Sequence, residues 1–111
     1  LSRPWVGASW EGFVLEQALN TLNAAGQRFE AFYLRTSDRY EIDLVIERPA
    51  ERWAIEVKLT TSPGLGDLAR LAQSADLIHA HRRFLISQTP KIVEGKHAVS
   101  CNLPWFLEQL S

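Results

Sequence analysis

Four charged side chains in this sequence are of types and spacings that could share one chemistry: Glu11, Asp43, Glu56 and Lys58. Asp43 lies in Tyr40 to Glu47, where apolar and polar residues alternate as in a half-buried strand. Glu56 and Lys58 lie in Trp53 to Leu59, which alternates the same way, and the short polar stretch Arg48 to Arg52 between them reads as a hairpin connection. Setting Ile46 against Trp53 and Leu44 against Ile55 continues to Ile42 with Val57 and Tyr40 with Leu59, so every large side chain is buried on one face. The same register puts Asp43 opposite Glu56 and Glu41 opposite Lys58. Carboxylates facing each other across a ladder repel, which a purely structural sheet avoids. Glu56 and Lys58, two residues apart, project the same way at about 6–7 Å from each other.

Glu11 adds a third carboxylate. At ~100° per residue its direction on the N-terminal helix falls between those of Ala18 and Leu22, inside the apolar stripe, whereas Glu16 points to the opposite side. A carboxylate there needs a partner or a metal. Three carboxylates and a lysine converging on one place suit a hard divalent cation, Mg²⁺ or Mn²⁺, which takes oxygen ligands and keeps several waters. The expected chemistry is hydrolysis of a phosphodiester, with the metal activating water and phosphate and Lys58 positioning that water or stabilising developing negative charge. Two or three of these carboxylates suffice to hold such an ion. Glu41 reads as the partner of Lys58 rather than a fourth ligand.

The elements that must hold these residues follow from pattern. A helix is expected from about Ser9 to Ala25, ended by Gly26. Strands are expected over Arg28 to Leu34, closed by a turn at Thr36-Ser37-Asp38, then over Tyr40 to Glu47 and Trp53 to Leu59. Thr60 to Gly66 reads as a loop, and Asp67 as the N-cap of a second helix carrying Leu68, Leu71, Ala72, Ala75 and Ile78. Phe84 to Ser87 reads as a short buried strand and His97 to Cys101 as a weaker one. Asn102 caps a terminal helix with Pro104 near its first turn. Other reactive types read as bland. Thr60, Thr61, Ser62 and Gln88 are loop or strand-end polar groups. His79 and His81 with Arg82 and Arg83 form a charge cluster at a helix end, with phosphate contact as its functional alternative. His97 reads as a strand surface residue and Cys101 as a small buried hydrophobe.

Composition bounds the function classes. With 111 residues, 46% hydrophobic and 23% charged, the chain reads as one globular domain over 1–111, α/β by the order of its expected elements, not a disordered tail, a collagen-like repeat or a coiled coil. A net charge of −1 excludes a strongly basic nucleic-acid binder but leaves room for a local basic patch. No run approaches ~18 apolar residues and no leader pattern opens the chain, so no membrane partner is expected. A single cysteine permits no internal disulfide and points to the cytoplasm. The sequence contains no methionine and starts at Leu1, as expected for a piece of a longer protein.

Asp43, then Glu56-Val57-Lys58, behind a helix carrying Glu11 and in the order αβββαβ, resembles the PD-(D/E)XK (restriction-endonuclease-like) nuclease superfamily. Ile42 stands where the name motif has proline. The wording Gly7-Ala8-Ser9-Trp10-Glu11-Gly12-Phe13-Val14, Glu41-Ile42-Asp43-Leu44-Val45 and Ile55-Glu56-Val57-Lys58 more narrowly resembles the C-terminal domain of unknown function that follows AAA-type P-loop ATPases in bacteria and archaea. The resemblance spans about Gly7 to Ser87. It implies a central mixed sheet flanked by helices, a metal-dependent nuclease-like domain acting on DNA, and an ATPase module in the parent chain. Carried over onto this sequence, it implies Glu11, Asp43 and Glu56 as the carboxylates that bind Mg²⁺ or Mn²⁺, with Lys58 as the catalytic lysine beside Asp43 and Glu56. Its alternative is a catalytically silent docking or regulatory module that binds DNA or that ATPase.

Overall fold

In the computed structural model, residues 9–36 and 40–111 are described. Gly7, Ala8 and the expected turn residues Ser37 and Asp38 lie outside them. The elements run α1 (Trp10–Ala24), β1 (Glu30–Thr36), β2 (Tyr40–Glu47), β3 (Arg52–Val57), α2 (Leu65–Leu77), β4 (Arg82–Ile86), β5 (Val93–Glu94), β6 (Val99–Cys101) and α3 (Leu103–Leu110). The six strands form one mixed sheet in the order β1-β2-β3-β4-β6-β5. Strand β2 pairs antiparallel with both β1 and β3, β4 pairs parallel with both β3 and β6, and β5 returns antiparallel along β6.

The sheet is covered on both faces, as the α/β expectation requires. Val14, Leu15, Ala18 and Leu22 of α1 and Phe106 and Leu110 of α3 bury against Leu44, Ile46, Trp53, Ile55, Phe84 and Ile86. Leu71 and Ala75 of α2 bury against Ile42, Val45, Ala54 and Leu85 on the other face. Trp53, Phe84 and Phe106 form the aromatic centre, with ring centroids 5.0 Å apart for Trp53–Phe84 and for Phe84–Phe106. Such tilted and edge-on contacts add to the stabilisation from the area these rings remove from water.

The helix ends follow local chemistry. The Ser9 hydroxyl accepts from the Gly12 amide at 3.1 Å, and Gly26 takes the left-handed φ of +68° that ends α1. Asn102 caps α3 by accepting from the Trp105 amide at 3.2 Å, while its own amide nitrogen donates to the Thr89 carbonyl at 3.0 Å. Asn102→Ala is therefore expected to cost about 1–2 kcal/mol in a denaturant titration. An unchanged midpoint would mean that the cap is idle.

Several boundaries move. β1 starts at Glu30 rather than Arg28 and runs to Thr36, and β3 ends at Val57, leaving Leu59 outside the sheet and 62% exposed. β4 starts two residues before Phe84 because its first two residues pair with Trp53 and Ala54. α2 begins at Leu65 with Gly64 as its N-cap. Asp67 is thus the third residue of the helix, its carboxylate reaching back to accept from the Gly64 amide at 3.0 Å. His97 lies in the β5–β6 turn, not in a strand, and the two-residue β5 is too short to leave a periodic signal.

The largest correction concerns the faces of β2. On β1 two steps separate Phe32 from Leu34, but their partners Val45 and Ile42 are three apart, so β2 carries one extra residue around Asp43 and Leu44. A bulge of this kind turns the following side chains over. Ile42 accordingly packs with α2 instead of joining Leu44 and Ile46 beneath α1 and α3.

Candidate functional site

The hairpin register holds where apolar pairing sets it and stops where the charges begin. Ile46 faces Trp53 and Leu44 faces Ile55, as expected, but Leu44↔Ile55 is the last pair of the β2–β3 ladder. Beyond it the Val57 amide donates to Asp43 Oδ2 at 2.8 Å. The strands part there, and a side-chain carboxylate takes the place of a ladder carbonyl. The end of β3 follows β4 instead, through Val57↔Ile86 and the Lys58 amide donating to the Ile86 carbonyl at 2.9 Å. The expected pairings Ile42–Val57, Tyr40–Leu59 and Glu41–Lys58 do not form.

The parting leaves Asp43 and Glu56 as a crowded, mostly buried pair. Burial pushes the Asp43 carboxyl up to about 6, with the charges of Glu11 and Glu41 adding to it and the Val57 amide opposing. Burial and the Asp43 charge push Glu56 up to about 8, against a hydrogen bond from the Asp43 amide and the nearby Lys58. The two titrate as a unit, and between them they keep a proton near neutral pH. Glu56 Oε1 is buried without a hydrogen-bond partner. Buried polar atoms of this kind are few in a folded chain, and each costs free energy.

Two hollows open from this pair and share Glu41 as a wall. One, of about 250 Å³, lies toward α1 and is lined by Glu11, Leu15, Tyr33, Arg35, Glu41 and Asp43. The other, of about 160 Å³, lies toward α2, where Glu56, Lys58, Asp67 and Arg70 meet. Glu11 thus reaches the Asp43 side but not the hollow that Glu56 lines. It sits one turn before Leu15 on α1 and lines the hollow toward α1 with it, but it is exposed rather than buried in the apolar stripe. Among the described residues no group of three or more His, Cys, Asp or Glu is arranged to hold a metal ion.

Lys58 has a different partner from the expected Glu41. Its ammonium lies 3.1 Å from Asp67 Oδ1, and Arg70 contacts the same oxygen. The Gly64 amide and then Lys58 hold the Asp67 carboxyl below the usual carboxylate range. Asp67 and Arg70 are the site residues that sequence reasoning missed. Their i,i+3 spacing was the available signal, and it pointed to an ordinary surface helix pair.

The chain matches the family model described as a domain of unknown function (DUF4143) over residues 6–106. This chain belongs to the DUF4143 family. Two mycobacterial relatives, uncharacterized protein Rv2008c of Mycobacterium tuberculosis and uncharacterized protein Mb2031c of Mycobacterium bovis, are each 37% identical to it over 93 residues. Those alignments cover 78% of this chain and 20% of each relative, so the chain spans about a fifth of the length of the curated relatives it matches. No solved structure matches it. The DUF4143 match takes in Glu11, Asp43, Glu56, Lys58 and Asp67 together, and no helix among the described residues is long and apolar enough to cross a membrane.

The remaining reactive residues take structural places. Cys101 is buried, which pushes its thiol up to about 12, as for an inert core residue. His81 Nδ1 accepts from the Arg52 amide at 3.0 Å, and the His81 amide donates to the Arg52 carbonyl at 2.7 Å. Gln88, Thr61 and Ser62 are exposed. The Thr60 carbonyl accepts from the Gln88 amide at 2.8 Å, tying the loop after β3 to the end of β4.

Proposed function

We propose that this DUF4143 domain is a restriction-endonuclease-like, divalent-metal-dependent nuclease domain that hydrolyses phosphodiesters in DNA, within a longer chain that also carries an ATPase. The observation that carries the reading is the Asp43–Glu56 pair where β2 and β3 part, with Glu56 Oε1 buried and unpartnered beside a second carboxylate. A structural sheet gains nothing from that crowding, whereas a cation would relieve it. The pair fits Mg²⁺ or Mn²⁺, since such ions are held by one or two carboxylates and keep their remaining waters. Glu11, across the hollow from Asp43, is the third candidate ligand. Bound there, the ion would polarise a phosphoryl oxygen and acidify a water. Lys58 lines the same hollow as Glu56 and donates to negative charge developing on phosphate. The order αβββαβ of the first six elements and the resemblance of the Asp43 and Glu56-Val57-Lys58 segments support the same reading.

A thermal titration tests it. Saturating Mg²⁺ or Mn²⁺, at ~100 times its dissociation constant, should stabilise the chain by about 2.7 kcal/mol. Asp43→Asn or Glu56→Gln should abolish the shift, and Glu11→Gln should weaken it. Because Glu56 must release its proton, binding should tighten from pH 6 to pH 8. A shift that survives both Asp43→Asn and Glu56→Gln puts the metal elsewhere and sinks the reading.

One observation favours a second reading, a silent docking module that binds DNA or the ATPase. The Lys58 ammonium is already neutralised by Asp67. Metal binding without cleavage of single-stranded, duplex or branched DNA would select that reading.

A further inference from the structure

The far end of the sheet carries another polar hollow. It lies between the start of β4 and the β5–β6 turn and has a volume of about 450 Å³. Arg82, Arg83 and Lys96 bring three cations to it, His81 and His97 line it as well, and Asp76 is its carboxylate. Asp76 is paired with Arg83 at 2.7 Å, which leaves the fixed charge of the hollow positive. Lys96 and His97 sit exposed at the turn and make no ion pair among the described residues. A chain of net charge −1 that gathers unpaired cations in one concavity has made a local anion trap.

The parts of this trap are held in place before any ligand arrives. The Arg82 guanidinium lies over the Trp53 and Phe84 rings at 4.7 and 4.9 Å, and its polar contact is a long one, 3.4 Å to Gln109 Oε1. A stacked guanidinium keeps its planar fork of donors and has little rotamer freedom left to lose. His81 is fixed from behind: its Nδ1 accepts the Arg52 amide, which makes Nε2 the N–H donor of the neutral ring. The turn that carries Lys96 and His97 is closed by the Gly95 amide donating to the Ala98 carbonyl at 3.0 Å. A Cβ on Gly95 would come within 2.9 Å of that oxygen, so the tight turn depends on glycine.

We propose that this hollow is a phosphate-binding site, separate from the Asp43–Glu56 pair, that takes a phosphate ester or pyrophosphate group. The surplus of positive charge matches a phosphate dianion, and the arginine fork matches its oxygens bidentately. The site lies beyond the opposite end of β3 and β4 from Glu56. Arg82 pairs with Trp53 and Leu85 with Glu56, which separates the two along the strand by about 10 Å. The assignment does not rest on the nuclease reading and stands or falls without it. The phosphate could belong to a free nucleotide or to a nucleic-acid strand, and the two sources are separable by experiment.

The test is an amide-resolved NMR titration of the chain with inorganic pyrophosphate at constant ionic strength. Saturable shifts are expected at Lys96, His97, Ala98 and Arg82. Lys96→Glu, at an exposed turn position that leaves the core untouched, should weaken binding about tenfold or more, the loss expected for one charge-assisted hydrogen bond. Arg82→Gln should do the same, while Lys91→Glu, outside the hollow, should bind as the parent does. A short single-stranded oligodeoxynucleotide that displaces pyrophosphate from the same resonances identifies a nucleic-acid phosphate as the ligand. Pyrophosphate binding that the oligonucleotide does not displace identifies a free phosphate ester. No saturable shift, shifts centred instead on Lys58 and Arg70, or parental affinity in both Lys96→Glu and Arg82→Gln would overturn the proposal.

Discussion

Glu56→Gln is expected to raise the stability of the metal-free chain at pH 8, by on the order of 1–3 kcal/mol, and to flatten its pH dependence. In the folded chain Glu56 holds its proton to about 8 and Asp43 to about 6, against ordinary values of 4.5 and 3.8. Folded-state values raised above the unfolded ones mean that the native state binds more protons through this window. Their contribution is fully present below the unfolded values, near pH 4, and is lost as pH rises through 6 and then 8. A neutral amide at position 56 removes the later and larger part of that loss, and Asp43→Asn removes the earlier part. Melting temperature followed from pH 5 to pH 9 reads this directly, at roughly 4 °C or more per kcal/mol for a chain of this size. Parental and Glu56→Gln curves that stay parallel would show that the pair is neither buried nor coupled.

Why the sequence exposes this pair but not its surroundings follows from what each feature depends on. The Leu44–Ile55 and Ile46–Trp53 pairings were legible because a slip of one residue would turn Trp53 and Ile55 to the wrong face. Adjacent Asp43 and Glu56 followed from that register, although the ladder stops one pair short of them. The bulge was harder. Tyr40 to Leu44 alternates without a break, and the sign of two-sided burial was the unbroken Leu44-Val45-Ile46, all three fully buried. Strands buried on both faces read as apolar runs rather than as alternation. Once Ile42 is turned toward α2, Asp43 is left at the bulge, facing the Val57 amide.

Asp67 shows the opposite limit. An aspartate before a helical pattern reads as a cap, but Gly64 caps α2 and Asp67 serves from inside the first turn. Its contact with Lys58 depends on the path of the loop from Lys58 to Gly64, which brings the helix start back over the end of β3. No local pattern encodes that path. The Asn102 cap was legible, by contrast, because it satisfies a rule that acts within one element.

Lys58→Ala is expected to lower metal-dependent DNA cleavage by ~100-fold or more while leaving the metal-induced rise in melting temperature intact. The Lys58 ammonium shares its hollow with Glu56 but is held at 3.1 Å by Asp67, half exposed, so it is oriented without being a ligand. A group placed this way contributes where charge grows on the phosphate, in the transition state, and adds little to the affinity of the resting site. Asp67→Asn keeps the hydrogen bond to Gly64 but weakens the hold on Lys58, so its loss of turnover should be smaller and should appear without loss of metal binding. Mn²⁺ is the metal of choice for the assay, and low salt offsets the weak attraction of a nearly neutral chain for DNA. Cleavage that persists unchanged in Lys58→Ala and in Asp43→Asn alike comes from a contaminant, and the nuclease proposal fails with it. If Lys58→Ala loses metal binding together with cleavage, the lysine is organising the site through Asp67 and α2, and its role at the phosphate is refuted.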